Sequence, residues 1–194
     1  DDRYYLEDVD EDPDNPGTVL LIYTNTNVTN VWDGGITWNR EHVWPNSRLG
    51  VDSVENTDVN IASDLHNLRA CDVSTNSSRS NKVYDLTTTE LTYFPGNYSK
   101  GDASRILFYM LIAYEELQLV NDILENDPET NYTPEGAKMA VFDRLIGWNY
   151  DDPVSDFEVS RNNGIYTIQN NRNPFIDYSY LVELIWYDHA NIPA

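Results

Sequence analysis

An α+β fold is predicted, with a strand hairpin and a short helix at its centre and several α-helices around them. Three stretches lead there. "TVLLIYTNTNV" (Thr18 to Val28) is a β-branched apolar run, and "ITWNREHVW" (Ile36 to Trp44) alternates apolar and polar residues. Ile106, Met110, Ala113, Leu117, Val120 and Ile123 recur at helical spacing. At 194 residues the chain suits one domain, 1–194.

Taken in order, "DDRYYLEDVDEDPDNPG" reads as an acidic leader over residues 1–17, with its Pro- and Gly-bearing part from Asp8 to Gly17. The first strand follows. "DGG" at Asp33–Gly35 is a turn signal, so Ile36–Trp44 is expected to fold back as the second arm of a hairpin that Pro45 ends. "IASDLHNLRACDV" reads as a short helix or turn, and "STNSSRSNKVYD" as a helical turn capped by Ser74 or Thr75. "GDASRILFYMLIAYEELQLVNDIL" is expected to be one core helix opening on a Gly-Asp cap. "TPEGAKMAVFDRLIGWNYDD" is expected to be another, capped by Thr133 with Pro134 at its first position. "DPVSDFEVSRNNGIYTIQNNRNPFID" reads as a third helix or an extended segment.

Composition bounds the function classes. Hydrophobic residues at 40% and aromatics at 12% argue for a folded chain despite a net charge of -21. A single cysteine, Cys71, excludes an intramolecular disulfide, and no apolar run approaches membrane-spanning length. No membrane association is expected. Trp38 to Lys82 holds five of the twelve Lys+Arg against six of the 33 Asp+Glu, a nearly neutral island in an acidic chain. The surrounding acidity reads as a solvating shell and implies salt tolerance.

The island carries the chemistry. An imidazole with an ordinary pKa is a good general base at neutral pH, and a carboxylate is a hard oxygen ligand for Mg²⁺ or Ca²⁺, which are the two groups of Glu41 and His42. Neighbours on a strand face opposite ways, so both serve one site only at a strand end, where Pro45 turns the chain. "SDLHNLRACDVSTNSSRSN" (Ser63 to Asn81) is too polar for core, yet it carries His66, Asn67, Asn76 and Asn81 with Arg69 and Arg79 between them. Amides are neutral oxygen ligands and arginines bind phosphate. Trp38 and Trp44 read as packing residues, and His189 as a surface residue.

"WNREHVWPNS" with "DLHNLRACDVSTNSSRSN" resembles the endonuclease I family of bacterial nucleases, in the His-Me finger (ββα-metal) superfamily. "GDASRILFYMLIAY", "DPVSDFEVSRNNGIY" and "NRNPFID" resemble its extracellular Bacillus-type branch. The resemblance runs from about residue 20 to about 180. It implies a ββα-metal core and a largely sequence-independent endonuclease acting on DNA and also on RNA, which leaves 5′-phosphate and 3′-hydroxyl ends. It implies one divalent ion, Mg²⁺ first and Mn²⁺ or Ca²⁺ next, with His42 as general base and Glu41 and Asn76 as metal ligands. Arg48 falls where the family holds the scissile phosphate. Arg40, Arg69, Arg79 and Asn81 are expected to contact substrate, while His66 and Asn67 support the loop that presents Asn76. Ala70 and the unpaired Cys71 depart from the disulfide-bonded relatives. A secreted or periplasmic monomer is expected. The alternatives are an inactive nucleic-acid-binding relative and a Ca²⁺-stabilised acidic extracellular module, although Asp8–Gly17 lacks the spacing of a calcium loop.

Overall fold

The first strand does not pair across the Asp33–Gly35 turn. In the computed structural model, which describes residues 2–51, 59–123 and 137–186, the chain doubles back earlier. β1 (Thr18–Leu21) and β2 (Thr26–Thr29) form an antiparallel pair with Leu21 opposite Thr26. The reversal is possible because Tyr23 and Asn25 both take left-handed backbone, at φ 73° and 51°. β3 (Asn39–His42) instead pairs antiparallel with β4 (Leu68–Cys71), with Glu41 opposite Arg69 and His42 opposite Leu68. A bridge between Ile22 and Cys71 joins the two pairs, and α2 (Val73–Arg79) follows β4 directly. Its cap is Asp72, which accepts from Thr75 N at 2.8 Å, rather than Ser74 or Thr75. The expected helix or turn before it is two 3₁₀ turns, Ile61–Ser63 and Leu65–Asn67, and then a strand.

The acidic leader is a correction. Asp2–Val9 is a helix, α1, whose Leu6 and Val9 are buried. Burial of two such side chains contributes roughly 3–6 kcal/mol, enough to hold a short helix against the body. Asp10 follows, fully buried between Arg161 Nε at 2.6 Å and Arg69 Nε at 3.2 Å. The Pro- and Gly-bearing part is a closed loop in which Asp12 Oδ2 accepts from the side-chain amides of Asn15 and Asn27, at 2.8 and 2.7 Å.

The helices wrap this sheet. β5 (Val83–Tyr84) and β6 (Thr92–Tyr93) run parallel and lead to α3 (Lys100–Ala113), which Ser99 precedes without a side-chain cap. α3 is buried on every side from Gly101 to Met110, so it lies inside the molecule rather than against it. It stops at Ala113, short of the expected stripe, because Tyr114 turns outward to donate to Asp64 Oδ2 at 2.8 Å and the chain then enters β7 (Gln118–Leu119). β7 pairs with β8 (Lys138–Met139), and α4 (Phe142–Asp151) starts after Val141. The expected cap at Thr133 and Pro134 lies outside the described residues, as does His189. The third region is helical: α5 (Asp156–Gln169) begins on a capping box between Ser155 and Glu158. α6 (Pro174–Asp177) and α7 (Leu181–Ile185) complete the order. Arg105 of α3 clasps Glu158 of α5 through two bonds, at 2.7 and 2.9 Å.

Candidate active site

β3 ends at His42, and the turn beyond it is pinned by one buried amide. Asn67 Oδ1 accepts from Trp44 N at 2.7 Å and Asn67 Nδ2 donates to Trp44 O at 3.0 Å. Trp38 and Trp44 are both fully buried as packing residues. The pinned turn lets the neighbouring side chains of Glu41 and His42 reach one open cleft of about 320 Å³, which Asn76 on α2 also lines. Arg40, Arg79, Asn81 and, from the strand-end turn, Asn46 and Ser47 also line it.

Each of the three central groups is held in a definite state. Glu41 Oε1 accepts from the Tyr23 hydroxyl at 2.7 Å and lies 3.1 Å from Arg79 Nη1. Burial raises the Glu41 pKa, while Arg79 and Tyr23 pull the other way. His42 Nε2 lies 2.9 Å from the carbonyl of Ala62. A carbonyl only accepts, so Nε2 carries the hydrogen and Nδ1 keeps the lone pair. Burial first, then the charge of Arg40, lowers this pKa to about 3, so the ring is neutral at physiological pH. Asn76 Nδ2 spends both hydrogens, on Asn39 Oδ1 at 2.8 Å and on Arg40 O at 3.1 Å, and its amide oxygen is the atom left to act as a ligand.

The arginines are distributed differently from the sequence expectation. Arg40 lines the cleft and pairs with Asp2. Arg79 is fully buried beneath the cleft, where it donates to His42 O at 2.9 Å and Val43 O at 2.6 Å and lies over the Tyr84 ring at 4.7 Å. Arg48, 2% exposed, points inward and donates to Asn81 O at 2.7 Å. Arg69 is buried and joined to Asp10 and Asp102. Arg79 forms part of the cleft floor while its Nη atoms hold the carbonyls of residues 42 and 43, whereas Arg48 and Arg69 are turned toward buried carbonyls and carboxylates and are not placed to meet a substrate. His66 is not part of the cleft either: its ring packs against Tyr109 at 4.4 Å. Sequence reasoning missed Tyr23 and Tyr84, whose hydroxyls meet at 2.5 Å behind Glu41. Tyr23 sits at the end of an apolar run, where a tyrosine reads as core.

Comparison with known proteins gives this geometry a family. The model of the family described as Endonuclease I matches residues 2–96 and 87–179. Two relatives named extracellular ribonuclease, from Bacillus subtilis (strain 168) and Bacillus amyloliquefaciens, are 40% and 39% identical over 93% of this chain. The chain spans 66% and 65% of their respective lengths. With most of its residues under the family model and its motif residues gathered at one cleft, the chain belongs to the endonuclease I family.

Proposed function

We propose that the protein is a secreted, metal-dependent endonuclease that hydrolyses phosphodiester bonds in RNA and DNA with little sequence preference. The observation that carries this is the convergence of Glu41, His42 and Asn76 on one cleft. Extracellular ribonuclease is the name of both relatives, which supports secretion and RNA as a substrate. No described helix is long and apolar enough to cross a membrane.

Among the described residues no three Asp, Glu, His or Cys side chains cluster to enclose an ion. At the cleft Glu41 offers a carboxylate and Asn76 an amide oxygen. Two hard protein oxygens fit a cation that keeps several waters and shares a phosphate oxygen, which favours Mg²⁺, with Mn²⁺ or Ca²⁺ as substitutes. Such an ion, when bound, supplies Lewis-acid stabilisation of the charge that develops on the phosphate.

The side chains do the rest. His42 Nδ1 takes a proton from the attacking water, and the Ala62 carbonyl fixes the ring's tautomer and orientation. Arg79 holds the carbonyls of residues 42 and 43, keeping the ring and the Glu41 carboxylate in register. Arg40 and Asn81 contact the sugar-phosphate backbone at the cleft wall. Contacts of this kind read no base edges, so cleavage is expected to be sequence-independent, leaving 5′-phosphate and 3′-hydroxyl ends. The nearly neutral segment that forms the cleft, within an otherwise acidic chain, makes the enzyme salt-tolerant in this reading, which takes it to act as a monomer.

Incubation of supercoiled plasmid and of a long RNA with Mg²⁺, and in parallel with EDTA, tests the proposal. Cleavage of both is expected only with Mg²⁺, and His42→Ala is expected to lower turnover by roughly 10²–10⁴-fold, the usual contribution of a general base. Cleavage that persists in EDTA, or wild-type turnover in His42→Ala, overturns it.

A further inference from the structure

Tyr23 occupies a costly position for its residue type. Its backbone is left-handed at φ 73°, a conformation that glycine or asparagine adopts more readily than a bulky side chain. The N–H is fixed by Ser99 Oγ at 3.0 Å, and the ring meets Tyr93 edge-on at 5.1 Å. From this anchor the side chain reaches beneath the cleft, where its hydroxyl donates to Glu41 Oε1 at 2.7 Å. Tyr23 has one proton to give, so in the short 2.5 Å contact Tyr84 is the donor, its proton shared between the Tyr23 oxygen and Val43 O at 3.2 Å. Tyr84 is in turn held under the Arg79 guanidinium, 4.7 Å from its ring centre. Arg79 Nη1 also reaches Glu41 Oε1, at 3.1 Å. One hydroxyl donor and one guanidinium charge therefore converge on the same carboxylate oxygen, the hydroxyl reinforced by a second one behind it.

We propose that Tyr23, backed by Tyr84, is a positioning residue that commits Oε1 of Glu41 to the protein and leaves Oε2 as the oxygen that binds a divalent cation. This rests on the reading of Glu41 as a metal ligand. Groups that hydrogen-bond a ligating carboxylate set its orientation, and their loss commonly weakens metal binding 10–100-fold. The left-handed backbone at Tyr23 thus sets a long side chain with its donor under Glu41.

The test measures Mn²⁺ binding directly, by the electron paramagnetic resonance signal of free Mn²⁺, on the intact chain without substrate. Tyr23→Phe is expected to raise the Mn²⁺ dissociation constant about 10–100-fold while near-ultraviolet circular dichroism stays native. Tyr93→Phe, which removes a hydroxyl from the same aromatic cluster but not from the chain of bonds, is expected to bind Mn²⁺ like the wild type. Wild-type affinity in a folded Tyr23→Phe overturns the proposal. If Tyr23→Phe fails to fold, Tyr84→Phe is decisive: a several-fold weakening supports the positioning function and unchanged affinity overturns it. Glu41→Gln separates the two levels, since unchanged Mn²⁺ affinity in that variant removes Glu41 from the metal site and the proposal falls with its premise.

Discussion

His66 is a neutral ring in the folded protein and an ordinary imidazole in the unfolded chain. Burial lowers its pKa from 6.5 to about 4, against the opposing pull of Asp64. Between those values the unfolded state binds more protons than the folded one, so stability rises with pH through that window and is lost as pH falls from 6.5 toward 4. Melting temperatures between those limits are expected to fall less steeply in His66→Phe, which keeps the packing on Tyr109, than in the wild type. Equal slopes in the two proteins would remove His66 as the source. The same residue shows what is legible in sequence at this scale. Glu41, His42 and Asn76 stand in motifs, and the chemistry of each follows from its side chain. His66, Arg48, Arg69 and Arg79 have equally polar neighbours in the chain, yet all four are buried. Sequence neighbours do not disclose which polar side chains will find buried partners, and an arginine among serines and asparagines reads as exposed. Of the island's positive charge, Arg40 and Arg79 line the cleft while Arg48 and Arg69 are spent on buried partners.

At the level of elements, strand character and helix character were readable while pairing was not. β3 covers only Asn39–His42 of the expected strand, and its partner is β4, 28 residues on in register at Glu41 and Arg69, rather than across the nearby turn. Local pattern carries a strand's two faces, and long-range pairing depends on the edge it finds. α3 was legible through its apolar content, yet its end was set by Tyr114 reaching Asp64, a contact 50 residues apart in the chain. Its beginning depends on close approach. A Cβ at Gly101 would lie 2.1 Å from the carbonyl oxygen of Asp152, where Gly101 N also donates to Asp152 Oδ2 at 2.8 Å. Gly101→Ala is expected to lower stability by about 1–3 kcal/mol through forced separation of α3 from the end of α4, measured by urea unfolding. A midpoint and slope matching the wild type would show that the backbones can part without cost.

For the whole molecule, charge and function are separated in space. The net charge of -21 resides mainly outside the segment that forms the cleft. Long-range attraction for a polyanion is therefore weak to begin with, and salt has little of it to screen beyond about 10 Å at 0.1 M. Activity on RNA and DNA is expected to persist from low salt to about 0.5 M NaCl, where a basic nuclease loses phosphate contacts. Steep inhibition over that range would show that exposed cations carry binding after all. The buried ionic cluster at the back of the sheet has a different effect. Arg161 donates to the carbonyls of Leu65 and Leu68 at the start of β4 and pairs with Asp10 at the other end of the chain. Strand β4 holds β3, and β3 carries Glu41 and His42. Asp10 and Arg161, 151 positions apart, thus fasten the strand against which β3 is paired, so the cleft takes shape only once both of these distant segments have folded onto it.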